Sequence, residues 1–460
     1  MKNSNYVQNK TKYTLDSVFY NYKNRSLLKQ IGFVILFILG SLFVSLIIIQ
    51  MLGYNMIDAL HAILTRPFQS FLYKDFITNI TTLGISGLAF AVAYKAGIFN
   101  IGVSGQMVAA GLAIVGVSQS LTREVTINGE LVLETTTGPS GVIIIVLVAM
   151  LTGMFVSMVI GALKVFFKVH EVVSSILLNW IIFFLGKWLI IDGPLSNPND
   201  PLYSLRIHED LAFYDSSLLS GFVGSLISLL VLVVVIWAIF KFTIFGKQMI
   251  FVGKSLSASK YAGYKIRELQ LSAFAISGSI SGILACIVYT ASATSAMPVP
   301  LVNLLPLEGF NGIAIGLIAF SNPIAIIPIS FVMALFSTTA LAAAPFPNSM
   351  GNLILGLVMY GTSIFAIAYK MQLMTRIRNY LSKKLDNDFT KKWDTRVKNK
   401  SKFLREIDRK LSDLKIALFS VKIKDEYLGD ATKETLIEKY LIEKNELKNK
   451  LNLIKEKEEE

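Results

Sequence analysis

Residues Tyr94 to Met107 read YKAGIFNIGVSGQM and lie between two strongly apolar runs. Asn100, Ser104 and Gln106 bring hydrogen-bonding groups there, while Gly97, Gly102 and Gly105 permit close backbone approach or a positive φ. Amides and hydroxyls with no acid or base beside them bind rather than make or break bonds. Two uses are open to these: bonding backbone groups freed by an irregular chain, or facing a polar solute. A second segment, EGFNGIAIGLIAFSNP from Glu308 to Pro323, carries Phe310-Asn311 where the first carries Phe99-Asn100. A third, TIFGKQMIFVGKSLSASKYAGYKIRELQLSAFAISGSISG from Thr243 to Gly282, places Ser255 to cap a short helix of small residues, Ser257 to Tyr264, with Lys and Arg on both sides. That makes an exposed ridge, which either lies on a lipid surface or plugs into a groove of another protein.

Other chemistries find no footing. His61, His170 and His208 are far apart and lack ligand spacing, and the single cysteine, Cys286, sits in an apolar run where packing explains it. No metal and no cofactor are expected. No Ser-His-Asp set or carboxylate pair occupies a plausible membrane cavity. FVGKS ends like a phosphate-binding loop, but that loop needs glycine where Gln248 stands and a buried strand before it. VSGQ, Val103 to Gln106, resembles part of an ATPase signature but lies in a membrane segment. The chain is not expected to be an enzyme, and nothing in it should hydrolyse ATP.

The elements that must position these residues are membrane helices. Of 460 residues 53% are hydrophobic and 16% charged, mean hydropathy is +0.58, and apolar runs of about 20 residues recur, the length that crosses a hydrocarbon core roughly 30 Å thick. The expected fold is all-α and polytopic, with about ten spans beginning near Ile31, Phe76, Ile98, Ser140, Glu171, Leu218, Leu269, Leu307, Pro323 and Met350. Two places are soft: Leu52 to Lys74 has room for an amphipathic piece, and Glu308 to Ser321 is short for a crossing. Basic segments at Lys164 to Lys168 and Lys241 to Arg267, against acidic ones near Gln119 to Gly138 and Gly193 to Ser216, put both termini in the cytoplasm of a plasma-membrane protein.

Three territories follow: a basic cytoplasmic start at 1–30, a membrane domain at 31–370, and a helical tail at 371–460. The start is read as leading into a retained first helix rather than a removed signal peptide. The tail has 23 Lys/Arg and 17 Asp/Glu, and its apolar spacing fits two helices joined near Gly429, either solvated or forming a coiled hairpin or partner contact. The net charge of +13 reflects topology and tail, so no nucleic acid is expected to bind. By this count the third and eighth spans run in opposite directions. Inverted repeats whose broken helices meet near the midplane have that pattern, and transport sites lie there.

Four blocks in order, AGIFNIGVSGQM, KVHEVVSSILLNW, TIFGKQMIFVGKSLSASKYAGYKI and GFNGIAIGLIAFSNPIAII, resemble the permeases of ABC importers for simple sugars, branched-chain amino acids and nucleosides. The resemblance spans roughly Ile85 to Ala344 and is strongest to the longer permease of nucleoside importers. It implies a heterodimeric pore with a second, similar permease, a cytoplasmic ATPase with two nucleotide-binding halves, and an extracellular substrate-binding lipoprotein. It assigns Gly253, Lys254, Ser255, Ser259, Lys260, Ala262 and Gly263 to the ATPase contact. Many relatives carry Glu at the position of Ser104, so a carboxylate contact there does not transfer, and no family role reaches the tail.

Within that expectation the translocation pathway takes Asn100, Gly102, Ser104, Gly105, Gln106, Asn179, Phe310 and Asn311, whose amides offer neutral hydrogen bonds to a ribose or base. Lys187 and Glu308 are read as snorkelling to the interface from span ends. Two other classes remain open: an ion-coupled secondary transporter, which wants a buried carboxylate at mid-membrane, and a membrane scaffold acting through its tail.

Overall fold

The computed structural model describes residues 22–70, 72–127, 130–198, 200, 203–212, 221–290, 297, 305–341, 348–370, 442 and 446. The chain divides into two compact units, Met1–Met371 and Gln372–Glu460. Of the second unit, only residues 442 and 446 are described, both helical. The paired tail helices, and the first 21 residues, lie outside the described residues.

The first unit is helical almost throughout. In chain order it comprises α1 (Tyr22–Met51), α2 (Met56–Thr65), α3 (Tyr73–Lys95), α4 (Val103–Leu121), the strands β1 (Thr122–Ile127) and β2 (Glu130–Thr135), α5 (Gly141–Phe167) and α6 (Glu171–Ile191). It continues through α7 (Gly221–Phe242), α8 (Ile244–Lys254), α9 (Leu256–Tyr261), α10 (Ile266–Thr290), α11 (Leu307–Ile318), α12 (Pro323–Leu341) and α13 (Asn348–Lys370).

Among the described residues, seven of these helices are long and apolar enough to cross a membrane: α1, α3, α4, α5, α6, α7 and α10. Where ten crossings are expected from sequence, the remaining three fall on shorter apolar stretches, Leu307–Ile318 in α11, Pro323–Thr339 in α12 and Gly351–Ile364 in α13. At 1.5 Å per residue the 12 residues of α11 reach only about 18 Å, short of the hydrocarbon thickness. α2 is the amphipathic piece: Asn55 Oδ1 accepts from Ile57 N at 2.9 Å, Ala59, Ala62 and Ile63 are buried, and Ile57 and Leu64 are exposed.

The loop after α4, read from sequence only as polar, contains an antiparallel β-hairpin in which Thr122 pairs with Thr135 and Ile127 with Glu130. Its signal was present, since Asn128-Gly129, after Val125-Thr126-Ile127, is the preferred dipeptide of tight hairpin turns. Thr135 Oγ1 donates to Asp210 Oδ2 at 3.3 Å, and Gln119 Nε2 to the Arg206 carbonyl at 2.9 Å, so the hairpin and the 203–212 segment share one end of the bundle. The Thr243–Lys265 loop marks the other.

The broadest helix contact joins α5 to α10, and it is built from small residues. Ala149, Gly153, Ser157 and Gly161 recur every four residues along one stripe of α5, opposite Phe274, Gly278 and Gly282 of α10. A Cβ on Gly153 would stand 2.9 Å from Gly282 N, and Ser157 Oγ donates to the Phe274 carbonyl at 2.6 Å. Where lipid is as apolar as leucine, such backbone-to-backbone contact and interhelical hydrogen bonds hold helices together. α3 occupies the middle, buried along most of its length by α7, α10, α11 and α12.

Candidate functional site

α3 ends in a Schellman motif: Gly97, at φ +77°, follows the last turn, and Ile98 N donates back to the Ala93 carbonyl at 3.0 Å. The third span, expected from Ile98, starts as helix only at Val103. The residues between make a re-entrant stretch. Ser277 Oγ on α10 donates to the Ala89 carbonyl at 2.8 Å and accepts from Asn100 Nδ2 at 2.9 Å. Asn100 therefore lies level with Ala89, roughly 9 Å inward from the end of α3 at 1.5 Å per residue. Non-helical backbone survives at such depth only where protein or a cavity surrounds it, and here α3, α6 and α10 do.

The polar side chains singled out from sequence bond that backbone and one another. Asn100 Oδ1 accepts from Gly102 N at 2.9 Å and from Gln106 Nε2 at 3.3 Å, and Ser281 Oγ donates to Gln106 Oε1 at 3.0 Å. Asn179 on α6 closes the other side, its Oδ1 accepting from Gly105 N at 3.1 Å and its Nδ2 donating to the Ile101 carbonyl at 3.1 Å. Gly105 must be glycine for this approach, because a Cβ there would sit 2.8 Å from Asn179 Cα. Asn100, Ser104, Gln106 and Asn179 are all buried. At the near end of α6, the Glu171 carboxylate takes the Lys164 ammonium at 2.8 Å, with the Phe99 amide beside it.

α11 begins beside this stretch. Ser104 Oγ donates to the Pro306 carbonyl at 2.8 Å and Ser86 Oγ to the Glu308 carbonyl at 2.7 Å, while a Cβ on Gly309 would meet Ser104 Cα at 2.5 Å. Gly312 then packs on Ser86 and Gly316 on Phe90, so α11 runs alongside α3 toward the loop end as α4 runs away from it. The N-termini of α4 and α11, each with a partial positive charge, lie side by side partway through the bundle. Glu308, read from sequence as snorkelling from a span end, is instead level with Ser86 in the middle of α3, half-buried in the first turn of α11. Phe310 and Asn311 are half-buried beside it, and the Asn311 amide makes no hydrogen bond among the described residues.

The loop assigned to a partner contact is formed by α8 and α9. Thr243 Oγ1 caps α8 by accepting from Gly246 N at 3.0 Å, and Ser255 Oγ caps α9 by accepting from Ala258 N at 3.3 Å. Gly253, Lys254, Ser255, Lys260, Ala262 and Gly263 are exposed. Ser259 is buried, its hydroxyl donating to the Ser255 carbonyl at 2.7 Å. Two residues that the sequence reading passed over stand out from α9: Tyr261, 95% exposed, and Leu256, 54% exposed. Their signal was an aromatic and a leucine among small residues in a polar loop.

Buried apolar helices around a hydrogen-bonded re-entrant stretch fit a multi-pass membrane protein. Residues 72–363 match the family described as branched-chain amino acid transport system / permease component, and the chain belongs to it as a permease subunit. It is 34% identical over 365 residues to the uncharacterized protein MG120 of Mycoplasma genitalium, a match covering 76% of this chain and 66%, just under two thirds, of that protein. It is 26% identical over 341 residues to the guanosine ABC transporter permease protein NupP of Bacillus subtilis, covering 69% of this chain and 89% of that one. A similar 26% over 371 residues relates it to the nucleoside ABC transporter permease protein NupB of Lactococcus lactis, at 76% and 92% coverage. No solved structure matches the chain.

Proposed function

We propose that this permease subunit belongs to an ATP-driven importer that moves nucleosides, or a related simple sugar, into the cytoplasm. A second, similar permease completes the pore, a separate cytoplasmic ATPase with two nucleotide-binding halves supplies energy, and an extracellular lipoprotein delivers the solute. The observation that carries this reading is the meeting of α4 and α11 at mid-bundle beside the Asn311 amide, which makes no hydrogen bond among the described residues. Broken helices that start side by side inside a bundle are where transporters hold solutes. Phe310 and Asn311 face the solute, while Asn100, Gly102, Ser104, Gly105, Gln106 and Asn179 shape the pathway wall by fixing the re-entrant backbone. The nucleoside part rests on NupP and NupB.

The Thr243–Lys265 loop and both termini are cytoplasmic in this reading. Leu256 and Tyr261, with Lys254 and Lys260, form an apolar knob with a basic rim that seats in an ATPase groove. The expected result for Leu256→Ala with Tyr261→Ala is a roughly 10-fold or greater loss of ATPase co-purified with the membrane complex, since losing interface anchors worth 1.4 kcal/mol or more in total gives about that factor. Unchanged co-purification would remove the knob from the contact.

One observation favours an ion-coupled carrier instead. Glu308 lies at mid-bundle, where such a carrier needs a carboxylate. Uptake that needs no ATPase, follows a proton or sodium gradient and is lost in Glu308→Gln would establish it.

A further inference from the structure

Three positions recur at four-residue intervals along one stripe of α6: Glu171, half-buried, and Ser175 and Asn179, both buried. The Phe99 amide lies beside the first, and the last holds the Ile101 carbonyl and the Gly105 amide. The middle one is fully buried, and its hydroxyl has no hydrogen-bond partner among the described residues. A buried polar group left unmatched is uncommon enough to need a reason. A hydroxyl can accept one N–H and donate to one carbonyl at the same time, which is the pair of bonds Asn179 makes now. Ser175 is therefore a vacant copy of the Asn179 grip, one helical turn nearer the loop end.

At that end the stretch is joined to the loop through bare backbone. A Cβ on Gly253 would run into the Lys95 carbonyl and stand 2.7 Å from Gly97 N, and a Cβ on Gly97 would stand 2.9 Å from Gly253 Cα. The last turn of α8 thus rests on the residues where α3 stops and the stretch begins. Lys95 adds a second tie, its ammonium 5.0 Å from the centre of the Phe240 ring on α7, which leads into the loop. A displaced loop has no side chain to deform between itself and the stretch.

We propose that Gly253 and Gly97 are the joint through which the loop moves the re-entrant stretch, and that Ser175 takes over its backbone from Asn179 when it shifts by one helical turn. This rests on the importer reading above. One-turn steps of a packed element between two discrete seats are an established form of conformational switching, and the step here is about 5.4 Å. In the present state Ser175 is the empty seat. Gly97, Ser175 and Gly253 are positioning residues, acting on the pathway through the stretch.

The test uses the whole complex of both permeases, ATPase and binding protein in proteoliposomes, with tritiated guanosine and tritiated ribose as probes. Ser175→Ala is expected to cut ATP-dependent uptake at least 10-fold while ATP hydrolysis continues, and to leave the melting temperature of the purified complex unchanged or raised, because it removes an unmatched buried group. Ser175→Thr, which keeps the hydroxyl, is expected to restore uptake. Gly253→Ala is expected to lower uptake without lowering ATP hydrolysis in proportion. Wild-type uptake in Ser175→Ala, or a loss that parallels a fall in melting temperature, overturns the seat. Proportional loss of uptake and hydrolysis in Gly253→Ala overturns the joint. If the wild-type complex takes up neither probe with ATP, the importer reading falls and this inference with it, an outcome distinct from a working complex whose variants behave as wild type.

Discussion

Leucine at Gly278 is expected to leave no monodisperse protein after extraction in detergent. The obstacle to a side chain there is backbone: a Cβ would stand 2.9 Å from the Gly153 carbonyl carbon and touch its oxygen, with Ser157 Cβ beside them. Overpacking costs about 1–3 kcal/mol when side chains can shift, and a backbone cannot give way as they do. Alanine at the same place should already lower the melting temperature, because its single methyl falls on those atoms. Gly116→Ala is the matched control, since nothing lies within 4 Å of a Cβ there and alanine favours helix by up to about 1 kcal/mol. Size-exclusion profiles and melting curves of the three variants decide the matter, and wild-type behaviour of the leucine variant would mean that α5 and α10 do not meet through their glycines.

Asn100→Ala is expected to rank next in damage. The change removes the acceptor of the Gly102 amide and the donor to Ser277, and it releases Gln106, all inside the bundle. Each buried group left unpaired costs about 1–3 kcal/mol, so a loss of about 2–5 kcal/mol is expected, visible as a melting temperature several degrees lower. Asn100→Asp should be worse, because it keeps the acceptor but places a charge against a hydroxyl in a dry site. Thr78→Ala, which loses only an exposed hydrogen bond to the Lys74 carbonyl, should leave melting unchanged. If Asn100→Ala melts as wild type but loses uptake alone, the amide serves the solute rather than the backbone.

That last contrast shows where sequence ran out. The length and spacing of apolar runs made the helical membrane fold plain, and the glycines and amides of 94–107 made the irregular stretch plain. Both uses of the amides were open because composition does not tell a bond to Gly102 N from a bond to a ribose; only the Asn100, Gln106, Ser277 and Ser281 geometry does. Asn179 stood in the sequence as one amide on an apolar helix, and its partners lie some 75 residues earlier in the chain. The position of Glu308 was misjudged for a related reason: depth was counted from the apparent start of a span, whereas α11 begins in mid-bundle. The α5 stripe of Ala149, Gly153, Ser157 and Gly161 was legible as small residues every four, but its meaning depends on α10, more than 100 residues away.

The Gly97–Gly253 contact gives the opening segment its place in the molecule. Polar backbone was put between apolar runs at a point where an exposed loop touches it, and the chain around it supplies the hydrogen bonds that water cannot.

The most direct test of the central claim is uptake of tritiated guanosine by cells carrying this chain with the proposed ATPase, second permease and binding protein, beside cells in which Lys254 to Gly263 is replaced by a Gly/Ser linker. The predicted result is uptake that requires ATP and falls to background with the linker, while the same amount of protein reaches the membrane. Uptake that persists without the ATPase and tracks an ion gradient, with or without the linker, would contradict the account.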